Sequence, residues 1–259
     1  MPRADRGGLA ERLPAGAARN ALDCALWDLE ARLAGSSVAA LTGLRPVHKA
    51  QTAITIVIDT PEAMAAEAAA LRSVPLLKVK VDGDDPMARI GAVRAAAPGP
   101  RMIVDPNESW SLAQLAALQP ALAAARVDLL EQPIPAEAGD ALQGLPREVP
   151  ICADEAVHTA ADIAGLRGRY DYVNIKLDKT GGLTEALRLA DAAREAGLGI
   201  MVGCMLCSSL GIAPAVLLSQ MADFADLDGP ISLLNDRKGA FRFEEGRIMG
   251  SGAPLWGGV

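Results

Sequence analysis

The chain has 259 residues, of which 51% are hydrophobic and 22% are charged, and its formal net charge is −7. This composition excludes a disordered or fibrous protein, and the length suits one α/β barrel or two compact domains. Only 3% of the residues are aromatic and no basic stripe is present, so nucleic acid is not expected as a partner.

The first 49 residues contain one predicted helix, within 17–33, where apolar residues recur at helical spacing. Gly35 and Ser36 end this helix. The chain starts without the apolar run of a signal peptide, and its four cysteines are scattered along the sequence. These features predict a cytoplasmic protein with reduced thiols.

After Pro46, short apolar runs alternate with alanine-rich helical segments. The predicted strands are 52–58, 76–81, 102–104, 127–130, 151–152, 172–175, 199–202 and 224–227. The predicted helices are 61–72, 86–97, 112–125, 138–145, 160–166, 183–196 and 210–221.

This alternation predicts parallel strands with right-handed crossovers, and eight such strands can close a barrel. We therefore predict an α/β fold, a TIM-like (β/α)7β barrel over residues 50–230, followed by a hairpin and tail at 231–259. A doubly wound open sheet is the alternative, although no Gly-rich phosphate loop follows the first strand.

Residues 196–222 carry no charge, but glycines, serines and Pro214 interrupt the run. We predict a buried strand, a loop and a helix in this segment, and no membrane span. Cys204 and Cys207 have the spacing of a redox pair but lack its usual context. We expect Cys204, Met205 and Ser208 to pack in the core.

Ionisable residues lie at the carboxyl ends of six of the eight predicted strands. In a barrel the chemistry lies at the carboxyl ends of the strands, so these residues are the candidates for a functional site. In chain order they are Lys78 and Lys80, Asp105, Glu131, Asp154, Lys176, and Asp226 with Asp228.

Three carboxylates, those of Asp105, Glu131 and Asp154, end consecutive predicted strands. The chain has only two histidines, which excludes a polyhistidine metal site. Carboxylate oxygens suit a hard cation, with Mg²⁺ as the first choice and Mn²⁺ as the second. The alternative is that each carboxylate is a solvated loop residue.

Lysine use gives an independent argument, because the chain has 19 arginines and only six lysines. Four of the six, Lys78, Lys80, Lys176 and Lys179, lie at the ends of strands two and six. Arginine does not release its proton in proteins, so lysines retained here predict groups that transfer protons. Strands two and six lie opposite each other in an eight-stranded ring. The alternative role is ion pairing with the metal carboxylates.

This order of lysines and carboxylates resembles the enolase superfamily, in its muconate-lactonizing subgroup. Four stretches are similar to the dipeptide epimerases of that subgroup, the L-Ala-D/L-Glu epimerases. They are LPAGAARNALDCALWD at 13–28, VNIKLDKTGG at 173–182, GCMLC at 203–207 and FADLDGP at 224–230.

The resemblance implies an isomerase that interconverts L-Ala-L-Glu and L-Ala-D-Glu in peptidoglycan recycling. Proton transfer would pass through an enolate stabilised by the metal. The family pattern assigns acid/base catalysis to Lys80 and Lys176, assistance to Lys78, and the substrate α-ammonium group to Asp226 and Asp228. It assigns Mg²⁺ to Asp105, Glu131 and Asp154, with Asn107 in the neighbouring shell.

The chain departs from the family before its first barrel strand, where only about 48 residues are present. We predict that residues 1–49 are the remnant of a largely missing α+β capping domain. Either the start of the gene has been placed too far downstream, or the protein is a shortened form. Exposed apolar surface would then favour a homo-oligomer. Alternative functions are another dipeptide epimerase, an N-acyl amino acid racemase, an o-succinylbenzoate synthase, or a catalytically silent barrel.

Overall fold

The computed structural model describes residues 6–250 and 255–257. Residues 1–5, and residues 251–254 and 258–259 of the predicted tail, lie outside the described residues. The chain forms two compact units, one from 1–52, 158–163 and 175–259, and the other from 53–157 and 164–174.

The N-terminal segment belongs to the first unit and contains more structure than its periodicity predicts. The predicted helix is present, and two short helices and one strand flank it. Helix α1 has no buried residue; the Arg6 guanidinium stacks 3.4 Å from the centre of the Trp27 ring instead. The elements are α1 (Arg6–Arg12), α2 (Ala17–Leu33), α3 (Val38–Thr42) and β1 (Lys49–Gln51).

Eight strands then follow one another through the chain in a single parallel sheet. Their spatial order is the same as their sequence order. In a doubly wound sheet the order of the strands reverses near the centre of the sheet. The predicted α/β barrel class is therefore confirmed over the doubly wound alternative. The strands are β2 (Ile54–Ile56), β3 (Leu76–Lys80), β4 (Arg101–Asp105), β5 (Leu129–Glu131), β6 (Ile151–Ala153), β7 (Tyr172–Lys176), β8 (Gly199–Gly203) and β9 (Phe224–Asp226).

Three of the helices between these strands begin at side-chain caps. Thr60, Asp85 and Ser111 each accept a hydrogen bond from the backbone N–H three residues on, which satisfies a free helix-end donor. The helices are α4 (Pro61–Ala70), α5 (Pro86–Ala96), α6 (Leu112–Ala124), α7 (Ile163–Leu166), α8 (Leu177–Thr180), α9 (Leu183–Glu195) and α10 (Ser209–Leu218).

Two predicted helices differ in type. The segment predicted at 138–145 is a 3₁₀ helix at Ala136–Leu142, which ends at the extended Gln143 (ψ 116°) and is followed by the left-handed Gly144 (φ 73°). The segment predicted at 160–166 starts as a 3₁₀ turn and becomes α7. Helix α8, a single turn directly after Lys176, was not predicted.

The predicted first strand, 52–58, is present as β2 (Ile54–Ile56), and the strand just before it, β1 (Lys49–Gln51), was not predicted. Strand β1 lies in a separate antiparallel sheet with the order β1-β11-β10, which includes β10 (Arg242–Glu244) and β11 (Arg247–Met249). The β10–β11 turn has positive φ at Glu245 (48°) and Gly246 (70°), as a type I′ hairpin turn requires.

The core of the second unit is built from the strands β3, β4 and β5. Leu77, Val79, Ile103 and Leu129 are fully buried, and continuous apolar runs of this kind are typical of parallel strands covered on both faces. The backbone register pairs Lys78 with Ile103 and Lys80 with Asp105. This register fixes which charged groups meet at the carboxyl ends.

The charge-free segment 196–222 forms β8, a loop and α10, as predicted. In the part of the chain that the structure describes, no helix is both long and apolar enough to cross a membrane. The prediction that Met205 packs in the core was wrong, because its side chain is 52% exposed. It lies in the loop after β8, where the chain leaves the sheet.

Helix α2 exposes an apolar stripe. Leu22 and Leu29 are each 49% exposed and Leu33 is 79% exposed, and they recur at a spacing that places them on one side of the helix. These three leucines give α2 an exposed apolar side in the described residues.

Arg94 at the end of α5 ties two loops together. Its guanidinium donates hydrogen bonds of 2.8 Å to the carbonyl oxygens of Pro100, Ala125 and Arg126. We expect Arg94→Ala to lower the free energy of unfolding by about 1.5 to 3 kcal/mol, because three carbonyls lose a charged donor. Exposed Arg72 is the control, and Arg72→Ala should stay within about 0.5 kcal/mol of the parent in urea unfolding. Equal midpoints for the two variants would contradict this account.

Candidate active site

Lysines and carboxylates meet at the carboxyl ends of β3, β4 and β5 in the second unit. Lys78 and Lys80 are two residues apart on β3, so their side chains leave the strand on the same face. The Lys78 Nζ lies 3.0 Å from Asp105 Oδ2 and 2.8 Å from Glu131 Oε2. One ammonium group therefore joins the carboxylates of two neighbouring strands.

Burial makes these contacts strong. The Lys78 side chain is 3% exposed, and those of Asp105 and Glu131 are fully buried. Burial acts to raise the pKa of the Asp105 carboxyl, but the ammonium groups of Lys78 and Lys80 outweigh it and hold the pKa below its usual range. Asp105 is therefore kept as a carboxylate by its neighbours.

Lys80 lies closer to solvent than Lys78, with 27% of its side chain exposed. Its Nζ donates hydrogen bonds to Asp105 Oδ2 at 2.6 Å and to Asn107 Oδ1 at 2.7 Å. The Asn107 backbone N–H donates to the other Asp105 oxygen at 2.9 Å, from a left-handed conformation with φ 44°. Asn107 thus orients both the carboxylate and the lysine.

Two amides near the carboxylates were missed in the sequence. Asn174 donates a 2.8 Å hydrogen bond to Glu131 Oε1, and Gln132 Oε1 accepts one from the Asp154 backbone N–H at 2.8 Å. Both amides are fully buried. A signal for Asn174 was available, because it precedes Lys176 by two residues on β7 and shares its face of the strand. Gln132 directly follows Glu131.

The chemistry of the donor set fits a hard divalent cation. Asp105, Glu131 and Asp154 are at most 2% exposed, they end or follow three consecutive strands, and all their donor atoms are oxygens. Across residues 6–250 and 255–257, no three His, Cys, Asp or Glu side chains form a compact metal-holding group. The Lys78 ammonium lies between the carboxylates of Asp105 and Glu131.

The remaining predicted residues belong to the first unit. Lys176 is 9% exposed, is the last residue of β7 and immediately precedes α8. Asp226 is 5% exposed and ends β9, whereas Asp228 is partly exposed and precedes a 3₁₀ turn. Between the two aspartates, the buried Leu227 donates its backbone N–H to Thr52 Oγ1 at 2.7 Å. Thr52 therefore holds the chain where this acidic pair leaves the sheet.

The two cysteines after β8 interact with each other. Cys204 donates its S–H to Cys207, and this hydrogen bond together with burial raises the pKa of the Cys204 thiol. The same hydrogen bond lowers the pKa of Cys207. Both thiols are free in this structure.

With the fold and the charged residues in place, the chain can be assigned to a family. Residues 62–254 match the enolase C-terminal domain-like family, and residues 3–43 match the mandelate racemase/muconate lactonizing enzyme N-terminal domain. The chain belongs to the enolase superfamily.

Its relatives within that superfamily are racemases and epimerases. An N-acetyl-D-glutamate racemase from Pseudoalteromonas sp is 48% identical over 97% of this chain and 79% of its own length. The L-Ala-D/L-Glu epimerase of Escherichia coli (strain K12) is 50% identical over 94% of this chain and 76% of its own length.

Solved structures agree with these sequence matches. An enolase family member from Agrobacterium tumefaciens with homology to dipeptide epimerases, with bound sodium and L-Ala-L-Glu, has a TM-score of 0.95 and 47% identity, over 98% of this chain and 78% of its own. A dipeptide epimerase from Methylococcus capsulatus, in complex with Mg and L-Arg-D-Lys, has a TM-score of 0.85 and 36% identity, over 95% of this chain and 73% of its own.

The buried ion pairs predict unequal roles for the two β3 lysines in stability. We expect Lys78→Met to lower the free energy of unfolding by about 3 to 5 kcal/mol, because two buried carboxylates lose their cation. Lys80→Met removes a side chain that is 27% exposed, so its cost should be smaller. Urea unfolding in the presence of EDTA measures both. A larger loss for Lys80→Met would contradict the assignment of Lys78 as the central cation.

Proposed function

We propose that this chain is an epimerase that inverts the Cα of the glutamate residue in L-Ala-Glu dipeptides, with Mg²⁺ as its cofactor. The observation that carries the proposal is the lysine and carboxylate arrangement at the ends of β3, β4 and β5, in a chain 50% identical to an L-Ala-D/L-Glu epimerase. This arrangement suits removal of a proton from carbon next to a carboxylate.

Inversion at Cα requires one group to remove a proton from one face and another to return a proton on the opposite face. We assign these roles to Lys80 and Lys176. A lysine accepts a proton as the neutral amine and donates one as the ammonium, so the two exchange roles between the forward and reverse directions. Lys78, buried among carboxylates, contributes a fixed positive charge for the substrate carboxylate.

The resident metal would be held by Asp105, Glu131 and Asp154. When bound, Mg²⁺ would withdraw electron density from the substrate carboxylate and so increase the acidity of the neighbouring C–H. Asn107, Asn174 and the Gln132 side chain orient the lysine and the carboxylate segments around it. These amides hold the site in shape by direct hydrogen bonds.

We assign Asp226 and Asp228 to the free α-ammonium group of the dipeptide, because a pair of carboxylates is complementary to a cation. Racemisation of an N-acylated glutamate is the second candidate, favoured by the 48% identity to an N-acetyl-D-glutamate racemase. That substrate has no ammonium group. The two functions therefore make different demands on the acidic pair.

The first test is proton NMR of L-Ala-L-Glu with the protein and Mg²⁺ in D₂O. We expect the glutamate α-proton signal to disappear and the L-Ala-D-Glu diastereomer to appear, with both effects abolished by EDTA. Lys80→Ala and Lys176→Ala should each reduce epimerisation by at least about 1,000-fold, because one face then lacks its proton-transfer group. Epimerisation retained in both variants would overturn the two-lysine assignment.

The second test compares L-Ala-L-Glu with N-acetyl-L-glutamate in the parent and in Asp228→Asn. For a dipeptide epimerase, loss of one carboxylate should raise the KM for L-Ala-L-Glu by about 10-fold or more, since a charge-assisted contact is lost. Turnover of N-acetyl-L-glutamate by the parent, together with an unchanged rate in Asp228→Asn, would establish the racemase instead.

Other expectations concern the surroundings of the reaction. A role in peptidoglycan recycling, the use of Mn²⁺ in place of Mg²⁺, and assembly into a homo-oligomer stay predictions from the sequence. The reading of residues 1–49, 50–230 and 231–259 as cap remnant, catalytic barrel and tail also stays a prediction.

A further inference from the structure

Helix α2 makes a set of polar contacts with the segment that follows Lys176, and the proposed function gives these contacts no role. Three side chains on one face of α2, those of Arg19, Asn20 and Asp23, reach residues 178–184. Residues three and four apart on a helix are neighbours on its surface, so the three act together.

The first group of contacts lies at α8. The Arg19 guanidinium donates to the carbonyl oxygen of Thr180 at 2.5 Å and to that of Gly181 at 3.3 Å. Asn20 Nδ2 donates to Asp178 Oδ1 at 2.9 Å. A four-residue helix is not stable alone, and a cation at its carboxyl end is favourable. Contacts from α2 therefore hold α8 in place.

The second group of contacts lies at the start of α9. Its N-terminal cap residue is a glycine with no side chain, and Asp23 supplies the missing acceptor from α2. Asp23 Oδ2 accepts the Thr184 backbone N–H at 2.9 Å, and Asp23 Oδ1 accepts the Thr184 hydroxyl at 2.6 Å. An anion at the amino end of a helix is favourable. Trp27 Nε1 donates to the same hydroxyl at 3.0 Å.

The turn between α8 and α9 is shaped to receive these side chains. Gly181 and Gly182 have φ of 80° and 116°, a region that favours glycine. A Cβ at Gly181 would lie 2.2 Å from Arg19 Nε, and one at Gly182 would lie 2.4 Å from Asp23 Oδ2. The close approach of α2 thus depends on both glycines. Arg19 and Asp23 are themselves buried, at 9% and 3% exposure.

All these contacts fall within eight residues after Lys176, which is itself buried and joins β7 directly to α8. We propose that Arg19, Asn20 and Asp23 are positioning residues for Lys176: they fix the α8–α9 segment, and so fix the backbone from which the Lys176 side chain extends. The inference rests on the proposed function only for the role of Lys176. The stretch LPAGAARNALDCALWD, residues 13–28, would then support proton transfer by positioning Lys176.

The test uses Arg19→Lys and Asn20→Ala, with Arg32→Ala as the matched control on α2. Arg32 is 52% exposed and pairs within the helix with Asp28 at 2.9 Å. L-Ala-L-Glu and L-Ala-D-Glu are incubated separately in D₂O, and loss of the α-proton is measured for each. A residue that positions one of two bases should affect one epimer, whereas general loss of structure affects both.

We expect epimerisation by Arg19→Lys and Asn20→Ala to fall about 10- to 100-fold in kcat, with KM changed less than about twofold. In these two variants, the α-proton should exchange more slowly only in the epimer that Lys176→Ala fails to exchange. The other epimer, which Lys80→Ala fails to exchange, should still exchange its α-proton. Arg32→Ala should match the parent. Equal losses for both epimers, or no loss, would overturn the inference.

Amide hydrogen exchange by mass spectrometry separates this inference from the proposed function. Peptides covering residues 177–184 should exchange faster in Arg19→Lys and Asn20→Ala than in the parent and Arg32→Ala. If the parent does not epimerise either dipeptide, the proposed function fails, and unchanged protection in these peptides would then also overturn the positioning role. Faster amide exchange in the peptides covering residues 177–184 would support the positioning role of α2, whichever reaction Lys176 takes part in.

Discussion

An ammonium group buried between two carboxylates is the interaction on which the arrangement of the second unit depends. Asp105 and Glu131 are fully buried on neighbouring strands, and such charges are tolerated in an interior only when they are paired and hydrogen-bonded. The Lys78 ammonium meets both, and Asn107 and Asn174 complete their hydrogen bonds. The strand register is consistent with this pairing, since it places the charged ends of β3, β4 and β5 next to one another.

Much of the fold was predictable, because each parallel strand is an apolar run and α4, α5 and α6 carry their own side-chain caps. The predictions that failed concern segments whose structure depends on contacts outside the local sequence. Helix α1 buries no residue and is held by the Arg6 contact with Trp27, which leaves no local periodicity to detect. Strand β1 was not predicted, because it is only three residues long and its partner, β11, lies far along the chain at Arg247–Met249. Met205 is apolar but lies in a loop, where burial does not follow from residue type.

The residues of the candidate site also fall into two groups, those that the sequence pattern places and those that only the tertiary structure shows. Side chains at strand ends, such as Lys80 and Asp105, were found because strand periodicity and chain order place them without further information. The amides that orient them are different, because Gln132 acts through its contact with the Asp154 backbone N–H, which lies just beyond the end of β6. The α2 side chains that contact residues 178–184 also needed the tertiary structure. A sequence pattern shows which groups share a strand end, and only packing shows what holds them there.

The small β1-β11-β10 sheet has a consequence for how the molecule is assembled. Lys49 pairs with Met249, so this sheet joins two segments that are far apart along the chain. Loop closure over such a separation is slow and costly in entropy. The first unit, drawn from three separate stretches of chain, therefore completes its folding only after the second unit has its whole sequence available. On a ribosome, α2 cannot make its contacts with residues 178–184 until those residues have been synthesised.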